Sequence, residues 1–210
     1  MAIKIKYCGL KQETEIDLAC ELGVDAIGLV FVTKSPRSVS VARAQELSQH
    51  LKQSTTDHKP QLVALFVNPD QAFVQQVIDD VKPDVLQFHG QETPGFCEQF
   101  NHKYWKAIAM LDDKPWQQQV NDHHAAEYCL LDAYQTGQLG GSGDAFEWFE
   151  FPSDLKARLI LAGGLNSDNI LQAMQQTQTQ YLDVSSGIES TRGVKSPALM
   201  KQLIQLVNPL

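Results

Sequence analysis

The sequence predicts an α/β protein: a single-domain (β/α)8 barrel of the TIM type, with eight parallel strands spread over residues 1–210. Two observations carry that prediction. Eight apolar runs of strand length recur along the chain with helix-length segments between them. Near its end, two consecutive runs each pass into a glycine-bearing loop, Ala162-Gly163-Gly164-Leu165 and Asp183-Val184-Ser185-Ser186-Gly187. Glycine lets the backbone come close to an anion, and N–H groups of a loop entering a helix face it with the positive end of the dipole behind them. Two such turns in this order match the phosphate site after strands seven and eight of such a barrel. A doubly wound sheet fits six or fewer repeats equally well, so the placement of the loops decides for the barrel.

The strand-like runs fall at 3–8, 26–31, 62–67, 85–88, 105–110, 128–131, 159–162 and 182–184. Runs such as Leu62-Val63-Ala64-Leu65-Phe66-Val67 are apolar without alternation, as parallel strands covered on both faces must be. Helix starts are legible at Asp70, at Thr93 followed by Pro94, at Ser167, and at Ser196 followed by Pro197. Each offers a side-chain oxygen as N-cap, and two add proline at the first helical position. Segments 52–60 and 175–180 are polar and read as solvent-facing loops or helix ends. The stretch from Tyr134 to Pro152 is the longest irregular one and holds Gly140-Gly141-Ser142-Gly143. A loop of that size in a compact domain is usually functional.

At 43% hydrophobic residues, 210 positions suffice for one buried core. No run reaches the roughly 18 apolar residues of a membrane helix, and the first residues lack a signal peptide's apolar stretch, so a cytoplasmic protein is expected. A net charge of −8 argues against nucleic acid and anionic membrane as partners. It leaves room for a small phosphorylated ligand, which needs only local donors. Cys8, Cys20, Cys97 and Cys129 show neither CxxC spacing nor pairing with histidines, so reduced thiols are expected rather than disulfides or a metal site.

In a barrel, residues at the C-terminal strand ends face the active site. The candidates are therefore Cys8, Arg37, Asn68, His89 and Asp132. Cys8 precedes Gly9, which permits a sharp turn; the thiol is either a small buried hydrophobe or a proton-transfer group. Asp132 ends an apolar strand, where a carboxylate must be solvated, paired or catalytic. A thiol and a carboxyl facing one cavity can deprotonate a carbon and protonate an oxygen, which is the chemistry of an isomerisation. Arg37 follows Pro36 and either grips a carboxylate bidentately or stays on the solvated surface. His89 either contacts a ligand or is satisfied by neighbouring backbone.

With these residues in place, the chain resembles the phosphoribosylanthranilate isomerases of tryptophan biosynthesis along essentially its whole length. The resemblance is carried by Lys6-Tyr7-Cys8-Gly9, Gly28 to Arg37, Leu86-Gln87-Phe88-His89-Gly90, Leu130-Leu131-Asp132, the Gly-Gly-Ser-Gly loop with Phe146-Glu147-Trp148, Ala162-Gly163-Gly164-Leu165 and Asp183 to Glu189, in family order. It implies a cofactor-free and metal-free Amadori rearrangement of N-(5-phosphoribosyl)anthranilate. Asp132 would be the general acid that opens the ring, and Cys8 the general base at the sugar C2. Arg37 would hold the anthranilate carboxylate, and His89 would lie close to the substrate. Gly141, Ser142, Gly143, Gly163, Gly164, Ser186 and Gly187 would bind the phosphate. The assembly is expected to be a monomer or a homodimer. The rivals are a histidine-pathway aminoaldose isomerase, which would carry a carboxylate in place of Cys8, and a non-catalytic sugar-phosphate-binding barrel, which would lack the acid or the base.

Overall fold

Eight parallel strands hydrogen-bond in chain order and close on themselves. They are β1 (Lys4–Cys8), β2 (Ala26–Val30), β3 (Gln61–Phe66), β4 (Val85–Phe88), β5 (Tyr104–Ala109), β6 (Tyr128–Asp132), β7 (Leu159–Leu161) and β8 (Tyr181–Val184). Every strand run read from the sequence lies on one of them, displaced by a residue or two at the ends. The seam is the pairing of β1 with β8, from Lys4 opposite Tyr181 to Tyr7 opposite Val184. The computed structural model describes residues 3–110, 114–132 and 148–208. Gly141, Ser142 and Gly143 lie outside them.

Strand alternation divides the core in two. Outward residues such as Ile5, Leu29, Phe66, Phe88 and Leu182 pack under the helices. Inward residues such as Ala26, Val63, Val85, Trp105, Ile160 and Tyr181 fill the barrel. Each large apolar side chain so buried contributes roughly 1.5–3 kcal/mol relative to exposure. Towards the C-terminal ends of the strands, Cys8, Val30 and Leu65 form a further, smaller buried cluster. Tyr7 points outward, away from Cys8, and its hydroxyl donates to the Met200 carbonyl at 2.7 Å. Polar groups at the open end of the barrel are thus backed by a packed floor.

Helices α1 (Glu13–Glu21), α2 (Val41–Gln53), α3 (Gln71–Val81), α4 (Pro94–Glu98), α5 (Trp116–Asp122), α6 (Ile170–Thr177) and α7 (Pro197–Val207) surround the barrel, with short 3-10 turns at Lys156–Arg158 and Ser186–Ile188 and a hairpin of β9 (Glu189–Thr191) and β10 (Val194–Lys195) between β8 and α7. Asp70, Thr93 and Ser196 cap α3, α4 and α7 by accepting from Phe73, Phe96 and Leu199 N–H groups. Ser167 does not cap α6. The side chains of Asn166 and Asn169 capture nearby N–H groups first, at 2.8 and 2.9 Å. That local turn delays the helix to Ile170, as Asx side chains competing with the helix ladder do. The polar 175–180 segment is also less solvated than its composition suggests: Thr177 and Thr179 are buried with their hydroxyls bonded to backbone carbonyls. All four cysteines are free and buried. No helix among the described residues is long and apolar enough to cross a membrane.

Candidate active site

The C-terminal ends of the strands open into one cleft of about 860 Å³, counting its mouth, within the size range of small-molecule sites. Cys8, Arg37, His89, Asp132, Gly163, Gly164 and Ser186 all line it. Cys8 comes from β1 and Asp132 from β6, and the barrel brings them to one cleft. Asn68 does not join them. Its φ is +47°, its side-chain oxygen accepts from Gln91 N–H at 2.7 Å, and its own N–H goes to Glu92 at 2.7 Å. It locks the β3 and β4 loops together, and Val67 faces the cleft in its stead.

Cys8 is 4% exposed, and burial pushes its thiol above the ordinary range. The Lys6 ammonium pulls the other way, Asp183 adds to the upward push, and Lys195 again opposes it. Lys6 is two residues before Cys8, so both side chains enter the barrel on one face. Opposite them stands Gly28, where a Cβ would meet Cys8 Sγ at 2.8 Å and Lys6 Cε at 3.2 Å. Only a glycine leaves room for the pair. Lys6 is fully buried and bonds Asp183 Oδ1 at 2.8 Å. Burial alone would lower the Lys6 pKa, but the Asp183 carboxylate reverses the sign, so Lys6 stays charged.

Asp132 is 7% exposed, with Oδ2 at 3.1 Å from His89 Nε2. The amide nitrogen of Gln87 lies 3.1 Å from His89 Nδ1. That nitrogen can only donate, so in the neutral imidazole Nδ1 accepts and the single N–H is placed at Nε2, facing Asp132.

In the loop after β7, Gly163 and Gly164 have φ of +86° and +65°. Among the described residues, no acceptor takes their N–H groups. Gly187 also has a steric part. It lines a neighbouring recess rather than the cleft, and a Cβ there would lie 1.9 Å from the Leu165 carbonyl oxygen. Its absence of a side chain is what lets the β7 and β8 loops touch.

Arg37 reaches the cleft paired. Its Nε and Nη2 bond both oxygens of Glu189 at 2.7 and 2.9 Å. Burial alone would raise the Glu189 pKa, but Arg37, Lys195 and the Gly193 N–H overcome it and pull the carboxyl down to about 2. Lys195 donates to Glu189 at 2.8 Å and to the Ser185 carbonyl at 2.9 Å.

Polar residues of this site that are absent from the sequence-derived candidates include Lys6, Gln87, Asp183, Glu189, Arg192 and Lys195. Lys6 and Gln87 sit two residues before Cys8 and His89, so period-two alternation alone places each on its neighbour's face. Asp183 repeats the pattern of Asp132, a carboxylate in an apolar strand. Glu189 and Lys195 lie beyond the last barrel strand and carry no such signal.

The fold and the site together define an acid–base barrel enzyme with a cradle for an anion. The family model described as N-(5'phosphoribosyl)anthranilate (PRA) isomerase matches residues 5–206. The chain is 39% identical over 208 residues to an N-(5'-phosphoribosyl)anthranilate isomerase from Nitrosococcus oceani, covering 99% of this chain and 98% of that one. Its structure is similar to phosphoribosyl anthranilate isomerase from Thermotoga maritima, at a TM-score of 0.83 and 28% identity, covering 99% and 100% of the two chains. It is also similar, at a TM-score of 0.79 and 26% identity with the same coverage, to a phosphoribosyl anthranilate isomerase solved with reduced 1-(o-carboxyphenylamino)-1-deoxyribulose 5-phosphate. The chain belongs to the N-(5'-phosphoribosyl)anthranilate isomerase family.

Proposed function

We propose that this protein isomerises N-(5'-phosphoribosyl)anthranilate to the corresponding 1-amino-1-deoxyribulose 5-phosphate, with Asp132 as general acid and Cys8 as general base. The observation that carries the reading is the meeting of Cys8 and Asp132, from β1 and β6, in a cleft that Gly163, Gly164 and Ser186 also line. Asp132 gives its proton to the furanose ring oxygen; the C1–O bond breaks and the anilino nitrogen's lone pair forms a C=N bond at C1. Cys8 thiolate then removes the proton from C2. The electrons of that C–H bond form the C1=C2 double bond, and the iminium nitrogen is neutralised. The enolamine tautomerises to the ketone, with protons conserved overall.

Each group is supported by its surroundings. Lys6 and Lys195 oppose the burial of Cys8 and favour the thiolate as it forms. His89 bonds Asp132 Oδ2, which leaves Oδ1 for the substrate. Gly163, Gly164, Ser186 and Gly187 take the phosphate, together with Gly141, Ser142 and Gly143, while Arg37 takes the anthranilate carboxylate. Anchoring both ends spends remote binding energy on positioning the carbons that react. The partner is then a small phosphorylated molecule in the cytoplasm, in keeping with the net charge of −8.

The test is the fluorescence of the anthranilate adduct, followed on mixing with the wild-type protein. We expect a decay proportional to enzyme concentration. A trace no faster than the uncatalysed control would overturn the assignment.

A further inference from the structure

The Arg37 guanidinium has five N–H donors, and its fork onto Glu189 engages Nε and Nη2, leaving the Nη1 edge for another acceptor. The carboxylate that holds it also holds the β9–β10 turn, through the Gly193 N–H to Glu189 Oε2 at 3.0 Å. Gly193 has φ of +83°, and a Cβ there would lie 2.7 Å from the Pro36 carbonyl oxygen. The turn is therefore seated directly on the loop that presents Arg37. The residue before Gly193 is Arg192, which lines the same cleft and is exposed. Among the described residues, no carboxylate pairs with it. Two guanidiniums thus flank one end of the cleft, the first fixed and half-neutralised by Glu189, the second unpaired.

We propose that Arg192 is a second binding cation for the carboxylate on the substrate's aromatic ring, acting beside the Arg37 that Glu189 holds in place. The inference rests on the function proposed above. A bidentate carboxylate accepts from two donors per oxygen, so it can be shared between the Nη1 edge of Arg37 and the fork of Arg192. The phosphate end lies with Gly163, Gly164 and Ser186, whereas the hairpin turn that carries Arg192 and Gly193 is seated on Pro36, next to Arg37, so its effect belongs to the carboxylate.

The experiment measures dissociation constants of the reduced product analogue, reduced 1-(o-carboxyphenylamino)-1-deoxyribulose 5-phosphate, and of its phenylamino counterpart without the carboxyl. Wild type and Arg192→Ala are compared with each ligand. We expect Arg192→Ala to weaken the carboxylated ligand by on the order of tenfold and to leave the other within about twofold. Arg192→Lys should restore part of the loss, since it keeps the charge without the fork. With substrate, the same change should raise KM and spare kcat. Equal affinity of wild type and Arg192→Ala for the carboxylated ligand would overturn the inference. So would equal weakening of both ligands, which would assign Arg192 to the phosphate or to the fold. If the wild-type protein bound neither ligand, the proposed function would fall, and this inference with it.

Discussion

His89 Nε2 stands 3.1 Å from Asp132 Oδ2 while Gln87 holds the other ring nitrogen. The carboxyl proposed as the acid is thus steered by a ring that is itself steered from the barrel interior. Replacing Asp132 by Asn should lower kcat by about 10²–10⁴-fold, the usual worth of a positioned proton donor. His89→Ala, which removes only the support, should lose less, about tenfold. Stopped-flow fluorescence of the anthranilate adduct measures both, and an equal loss in the two variants would promote His89 to a proton-transfer role of its own.

The thiol has a distinct signature in pH. Burial raises the Cys8 pKa, so the protonated form persists above the ordinary thiol range. Activity that needs thiolate should therefore keep rising with pH beyond about 8.5. Cys8→Ala should abolish that rise and lower kcat by about 10³-fold. A wild-type kcat/KM that stays level between pH 7 and pH 10 would remove Cys8 as the base.

Glu189 predicts an acid-side loss of stability. Its carboxyl sits at about 2 in the folded protein against an ordinary 4.5. A lowered pKa stabilises the fold above the unfolded value and is lost as pH falls from 4.5 towards 2. The difference corresponds to about 3 kcal/mol at neutral pH. Glu189→Gln should lower the thermal midpoint most above pH 4.5, with the gap to wild type closing near pH 2. Calorimetric scans across that range check it, and a gap independent of pH would contradict the charge pairing.

The contact between the β7 and β8 loops is steric. A Cβ at 187 would meet the Leu165 carbonyl at 1.9 Å, and a backbone oxygen cannot swing aside. Gly187→Ala should cost more than about 2 kcal/mol in stability and raise KM by displacing Gly163 and Gly164. Denaturant unfolding and steady-state kinetics would show it; an unchanged midpoint would mean that the loops separate freely.

The barrel was legible because its signals are local and repeated. Unbroken apolar runs such as Leu62 to Val67, and caps such as Asp70 and Ser196, depend on neighbours within a few positions. Cys8 and Asp132 could be singled out because strand ends converge in this fold. Pairings across the chain were not legible. Nothing near Arg37 announces Glu189, which lies 152 residues away, and nothing near Lys6 announces Asp183, 177 residues away. Ser167 shows the limit of local rules too, since two asparagines beside it compete for the same N–H groups and win.

The seam between the first and last barrel strands has a consequence for synthesis of the protein. Cys8 leaves the ribosome well before Asp183 and Lys195, which set its electrostatic surroundings. A nascent chain therefore carries a nucleophilic sulfur with no working pocket around it until β8 docks. Closing so wide a loop in sequence also weighs on folding speed. Catalysis here is an all-or-nothing property of the finished ring.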